Sequence, residues 1–317
     1  MEIAFSLRRR LKDFSKRCIF RLHRIVTRCG WHILPAHYYS ALPNVLELET
    51  TRPVWARKSK LVGIQCDLNR QIANLEHVVL PFQSEYAGNP SYLYATSNHF
   101  GPGYGYVEAQ ALHGFLRHFK PRTVVEVGSG VSTYCMIQAL KLNQSAGEFK
   151  LTCVEPFPSA ALRKIAGIEL IQQPVQQVPL GLFESLQSGD FLFIDSSHAV
   201  KTGSDVNHLF LEVLPRLNRG VLVHIHDINL PYDYSRSTLK TFIHPMETAL
   251  LHAYLVGNTS VEILFSLSML HYDAPKTLKT VFPEYVPQAG DSGLWPDDAV
   301  PFVAPPHHFP SSIYLRM

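Results

Sequence analysis

Two apolar runs in this chain end in residues that could act as an acid, a base or a metal ligand. Phe191-Leu192-Phe193-Ile194-Asp195-Ser196-Ser197-His198 delivers Asp195 at the end of the run, with His198 just beyond it. Val221-Leu222-Val223-His224-Ile225-His226-Asp227 does the same for His226 and Asp227. On neighbouring strands, Asp195 and Asp227 would offer carboxylate oxygens to a hard divalent cation. An imidazole that titrates near neutrality suits His198 to general-base work. Each residue also has a duller reading. A strand-end Asp often caps the next helix, His224 reads as a satisfied interior histidine, and His208 beside Asn207 reads as packing. His307 and His308 lie in a Pro-rich loop and read as ordinary loop residues rather than metal ligands.

Upstream lies Arg122–Tyr134, RTVVEVGSGVSTY. The β-branched Thr123-Val124-Val125 suits a buried parallel strand. The chain then turns at Glu126-Val127-Gly128-Ser129-Gly130 and resumes as a helix. A strand, a glycine turn and a helix bring backbone N–H groups and a helix N-terminus to a nucleotide-like ligand. A dinucleotide turn would carry a third Gly where this chain has Thr133. The next apolar run, Leu151-Thr152-Cys153-Val154-Glu155, ends in an acid placed to accept protons from ribose hydroxyls.

The elements that must position these residues alternate regularly. The pattern predicts helix Val107–Phe119, strand Thr123–Glu126, helix Ser132–Lys141, strand Lys150–Glu155 and helix Ser159–Ile165. It continues with strand Glu169–Gln172, helix Leu180–Leu186, strand Asp190–Asp195, helix Gly203–Leu217 and strand Val221–Asp227. Such alternation argues for a parallel sheet covered on both faces. The tail reads as helix Pro245–Val256, strand Ser260–Leu267, a long Pro-rich loop and strand Ser311–Arg316, giving an antiparallel edge hairpin. The fold class is therefore α/β, a Rossmann-like seven-stranded and mostly parallel sheet with an irregular, partly helical N-terminal cap. Residues 31–106 form the cap, with one helix over Asp67–Val79 capped by Asp67 and a Gly/Pro turn cluster over Asn98–Tyr106. Residues 107–317 form the sheet domain.

Residues 1–30 stand apart. Nine Lys and Arg oppose only Glu2 and Asp13, a local charge of +7 that leaves −4 for the rest of a chain with net charge +3. Leu7, Leu11, Phe14, Cys18, Leu22 and Ile25 recur at helical spacing across residues 3–28, so this is a basic amphipathic helix. It suits either peripheral contact with an anionic membrane surface or docking on protein. The mildly acidic remainder offers no nucleic-acid surface. Five cysteines without paired spacing read as reduced thiols and point to the cytoplasm. No signal peptide or bilayer-spanning run is evident.

Taken in order, EVGSGVST, VEP, FIDSSH and GVLVHIHDI resemble the class I S-adenosylmethionine (SAM)-dependent methyltransferases. The likeness is greatest to the bacterial group of macrolide- and sugar-directed O-methyltransferases such as macrocin O-methyltransferase, and it runs from about Tyr104 to the C-terminus. It implies that Glu126, Gly128, Ser129, Gly130 and Ser132 line the methionine end of SAM and that Glu155 binds its ribose. It further implies that Asp195 and Asp227 hold Mg²⁺ and that His198 is the base. One departure stands out. Metal-dependent members usually carry two adjacent acid or amide ligands where this chain has His226-Asp227. The expected reaction is in-line transfer of the SAM methyl to a hydroxyl of a sugar, glycan or natural-product small molecule. The alternatives are an NAD(P)-dependent oxidoreductase, against which Thr133 counts, and a non-catalytic SAM-binding or partner-docking protein.

Overall fold

The computed structural model describes residues 2–40, 42–101, 103–143, 147–288, 292–304 and 309–317; His307 and His308 lie outside them. The chain separates into two compact units, residues 1–52 and 53–317. The first contains helix Glu2–Thr27 and the short helix Val45–Thr50, whose first turn is capped by the Asn44 side chain. Leu11, Phe14, Leu22 and Ile25 of the expected stripe are all exposed. Among the described residues no helix is long and apolar enough to cross a membrane.

The second unit is built on a seven-stranded sheet. Its strands are β1 (Thr123–Val127), β2 (Lys150–Val154), β3 (Glu169–Ile171), β4 (Phe191–Ile194), β5 (Leu222–Ile225), β6 (Glu262–Ser266) and β7 (Ile313–Arg316), in the order β3-β2-β1-β4-β5-β7-β6. β3, β2, β1, β4 and β5 pair in parallel, while β7 runs antiparallel to both β5 and β6. This is the expected Rossmann-like, mostly parallel sheet with an antiparallel edge. Strand side chains alternate between two cores. Val124, Phe191, Phe193 and Leu222 face one, while Val125, Val127, Leu192 and Ile194 face the other. A strand buried on both faces has no polar side to show, hence the continuous apolar runs.

Several expected elements differ. Ser159–Ile165 forms only a 3₁₀ turn at Leu162–Lys164, and Leu180–Leu186 shortens to Gly181–Glu184. The predicted helix Gly203–Leu217 starts at Asp205 and widens into a π turn over Leu209–Val213. The tail loop is not wholly irregular, because helices Leu267–Asp273 and Pro275–Val281 follow β6 directly. Residues 31–106 are also more helical than one segment. Helix Leu68–Val78 has its Asp67 cap, with Oδ1 accepting the Arg70 N–H, and helix Pro90–Ser97 follows. The Leu68–Val78 helix covers the outer edge of β6: Gln71 accepts the Ser266 N–H and Asn74 donates to the Leu264 carbonyl. An exposed edge strand invites unwanted pairing, and these amides occupy it. Of the expected cap, Phe100, Gly101, Gly103 and Tyr104 line the cavity at the sheet's carboxyl end.

Candidate active site

β1, β4 and β5 lie side by side and in register, so Glu126, Asp195 and the His226-Asp227 pair all arrive at or near the same edge of the sheet. Open α/β sheets bind their ligands beyond this edge. A cavity of roughly 340 Å³ lies there, lined by Gly128, Ser129, Gly130, Ser132, Glu155, Asp195, His198 and Asp227 together with Phe100–Tyr104 residues. The glycine turn is forced. Gly128 has φ +79°, and a Cβ on it would stand 1.8 Å from the Asp195 carbonyl oxygen. Only glycine lets the β1 turn pass this close to the end of β4.

The turn's carboxylates have separate tasks. Glu155 accepts the Ser129 N–H at 3.2 Å and the Phe157 N–H at 2.7 Å, and it borders the cavity. Glu126 does not border the cavity; it is wholly buried behind the turn. Its carboxylate accepts hydrogen bonds from Ser132 Oγ at 2.7 Å and Thr133 Oγ1 at 2.6 Å. Burial pushes its pKa up to about 7 against the pull of these hydroxyls. Thr133, standing where a dinucleotide turn has Gly, also accepts the Gly130 N–H at 2.9 Å. The position is therefore a fastening of the turn rather than a gap in it.

The sequence-predicted Asp195, His198 and Asp227 do come together, and His226 joins them. His198 Nε2 lies 3.3 Å from Asp195 Oδ1 and 3.4 Å from Asp227 Oδ2. His226 Nδ1 lies 3.1 Å from the same Asp195 oxygen. Two further acids complete the array. Glu247, fully buried in helix Glu247–Leu255, meets His198 Nδ1 at 2.7 Å. Glu108, buried in helix Tyr106–Phe119, meets His226 Nε2 at 3.2 Å and accepts hydrogen bonds from Ser311 N and Ser312 Oγ. Neither Glu108 nor Glu247 figured among the sequence candidates. The available signal was a lone acid inside an apolar helical run, Val107-Glu108-Ala109 and Met246-Glu247-Thr248-Ala249-Leu250. His198 and Asp227 both have left-handed backbones, φ 58° and 54°. That conformation costs a non-glycine residue about 1–2 kcal/mol, and it collects at functional sites.

The electrostatics follow from this packing. Burial disfavours the charged forms of His198 and His226. The carboxylates outweigh it and raise both rings well above the ordinary histidine range, Asp195 and Glu247 acting on His198 and Asp195 and Glu108 on His226. Burial alone would raise Asp195, but the two imidazoles hold it well below the usual carboxylate range. Asp227 is the open member, its side chain 44% exposed. His224 is interior as expected yet not satisfied: neither ring nitrogen has a hydrogen-bond partner, and the ring stacks on Phe193 at 4.3 Å. Burial pushes its pKa down to about 3. His208 lies at the end of the short helix Asp205–His208 and lines neither cavity.

Two of the donors that converge on Asp195 are imidazole nitrogens. Mg²⁺ takes an oxygen-rich shell, so the set does not suit the Mg²⁺ expected at Asp195 and Asp227. A second cavity of roughly 480 Å³ adjoins, lined by Asn229, Ser235, Trp295 and Phe309, and it shares Gly103, Tyr104 and Asp227 with the first.

Residues 125–228 match the family model described as a methyltransferase domain. A protein of Archaeoglobus fulgidus described as uncharacterized is 26% identical over 189 residues, covering 56% of this chain and 84% of its own length. Among solved structures, the O-methyltransferase TomG from Streptomyces achromogenes, involved in tomaymycin synthesis and bound to SAM, is 16% identical. It covers 60% of this chain and 88% of its own, with a TM-score of 0.39. A methyltransferase from Podospora anserina bound to S-adenosylhomocysteine is 15% identical, covering 59% and 72%, with a TM-score of 0.30.

Proposed function

We propose that this protein is a SAM-dependent O-methyltransferase acting on a hydroxyl of a sugar, glycan or natural-product small molecule. The observation that carries the reading is the meeting of two cavities at Asp227, one under the glycine turn and the other beside it, with His198 at the junction. The match of residues 125–228 to a methyltransferase domain supports the same reading. The first cavity takes the cofactor. Gly128, Ser129, Gly130 and Ser132 receive its amino-acid end, and Glu155 accepts from the ribose hydroxyls. Glu126 acts from behind by holding Ser132 and Thr133 in place. SAM, when bound, supplies a methyl on a sulfonium that departs as a neutral thioether. The second cavity, with hydroxyls and an amide beside aromatic rings, takes a polyhydroxylated or aromatic acceptor.

An alcohol is a poor nucleophile at neutral pH, so the new O–CH₃ bond requires loss of the hydroxyl proton. His198 Nε2 accepts that proton. Glu247 holds Nδ1–H and fixes the tautomer, while Asp195 and Asp227 stabilise the imidazolium that results. The remaining gain is alignment of the acceptor oxygen on the methyl. Labelled methyl transfer from SAM to a panel of sugars and hydroxylated natural products tests this. The label should appear on oxygen, and His198→Ala should abolish it while S-adenosylhomocysteine still binds. Undiminished transfer by that variant would remove His198 as the base.

The proposal extends to cellular location and organisation. The basic helix Glu2–Thr27, with Leu11, Phe14, Leu22 and Ile25 exposed, suits peripheral contact with an anionic membrane on the cytoplasmic side. Within residues 31–106, Phe100, Gly101, Gly103, Tyr104 and Gly105 line the two cavities, and residues 107–317 carry the sheet and its chemistry.

A further inference from the structure

We propose that Asp195, His198 and His226 form a binding site for a borderline divalent cation such as Zn²⁺ or Co²⁺, and that occupancy withdraws His198 from proton transfer. One ligand atom from each residue lies within 4.8 Å of the others, and Asp195 Oδ1 stands 3.1 and 3.3 Å from the two inner ring nitrogens. Two donors on a tetrahedral zinc stand roughly 3.3 Å apart, given bonds of about 2.0–2.1 Å. Asp227 Oδ2 lies 3.4 Å from His198 Nε2, beside this three-residue group.

A second observation is independent of that convergence. The outer nitrogen of each ring already has a carboxylate, Glu247 on His198 Nδ1 and Glu108 on His226 Nε2. Metal-binding histidines typically carry this partner, which fixes the outer N–H and turns the inner lone pair toward the ion. Each ring here faces a carboxylate on both sides, and one ring proton can serve only one side. The inner sides need either further protons or a cation, and a single ion between them serves both rings. The donor set also sets the choice of ion. Two imidazoles and a carboxylate favour Zn²⁺ and Co²⁺ over Mg²⁺. The mismatch with Mg²⁺ is thus a preference for a different metal.

The binding half of the proposal stands on geometry alone; the loss of proton transfer rests on His198 being the base. The full chain is titrated with Co²⁺ and followed by visible absorption, then with Zn²⁺ and Mg²⁺ by calorimetry. One Co²⁺ should bind with the absorption of a nitrogen-coordinated ion, and Zn²⁺ should bind far more tightly than Mg²⁺. Glu247→Gln should weaken Zn²⁺ about tenfold or more through the lost outer partner. His226→Asp, which makes the set oxygen-rich, should weaken Zn²⁺ and strengthen Mg²⁺. No nitrogen-coordinated Co²⁺ spectrum, or Zn²⁺ affinity unchanged in both variants, would overturn the site. Zn²⁺ that binds as described without slowing methyl transfer would overturn the second half only.

Discussion

His198 Nδ1 lies 2.7 Å from a carboxylate oxygen of Glu247, in a helix far along the chain from the β4 loop. The contact joins a ring at the mouth of the site to an acid with no exposure at all. It also bears on pH. The carboxylates raise His198 well above its ordinary range, which moves loss of the ring proton, and with it the base form, to higher pH. Methyl transfer, read as kcat/KM, should therefore rise with pH beyond the ordinary histidine range and then level off. Glu247→Gln removes one source of the raise, so the profile should move to lower pH. kcat should also fall, by about 10²-fold if alignment of the base is lost with the carboxylate. An unshifted profile in that variant would mean Glu247 is only a packing residue.

Gly128→Ala tests the close approach of β1 and β4. The left-handed backbone alone costs an alanine about 1–2 kcal/mol, and the methyl would meet the Asp195 carbonyl oxygen at 1.8 Å. The turn must move away from β4. The variant should lower the unfolding midpoint and lose S-adenosylhomocysteine binding, both measurable on the same sample by thermal shift. A variant as stable and as competent as the parent would show that the turn has slack the structure does not.

Glu126 makes stability depend on pH in a defined direction. Its folded pKa, about 7, lies above the ordinary 4.5, so folding favours the protonated form. Below pH 4.5 the group is neutral in both states. As pH rises through 4.5 toward 7 the unfolded chain releases the proton more readily, and stability falls by about 3 kcal/mol. Glu126→Gln removes this loss and keeps the shape. Denaturant unfolding at pH 5 and pH 8 should show the variant gaining on the parent at the higher pH. Parallel behaviour at the two pH values would contradict the assignment.

Much of this was legible in the sequence, for physical reasons that also explain what was missed. A strand buried on both faces must be apolar throughout, which is why β1, β4 and β5 stood out, and the end of such a run marks the ligand edge. Asp195, His198 and Asp227 were therefore visible. Their partners Glu108 and Glu247 were not, because the contact comes from tertiary packing of distant helices. Helix Pro90–Ser97 was missed inside a cap read as irregular, and Pro275–Val281 inside a tail read as a Pro-rich loop, although a proline opens each. Each proline stands in the first turn, where its missing N–H costs nothing. Glu126 was read by motif as a cofactor contact, whereas two neighbouring hydroxyls draw it inward.

The N-terminal helix makes a separate prediction. Full-length protein should bind vesicles containing anionic phospholipid more tightly than a truncated chain beginning at Trp31, and added salt should erase the difference. Equal binding by the two chains would end the membrane proposal and favour a docking role for the helix.

The central claim is that the cavity under the glycine turn holds SAM. Titration calorimetry with S-adenosylhomocysteine tests it most directly, run with and without Mg²⁺ and repeated with Glu155→Ala. The account predicts one site of about micromolar affinity, roughly −8 kcal/mol, indifferent to Mg²⁺. Loss of the Glu155 hydrogen bonds should weaken it about tenfold or more. No heat with S-adenosylhomocysteine, or binding of NADH in its place, would contradict the account at its base.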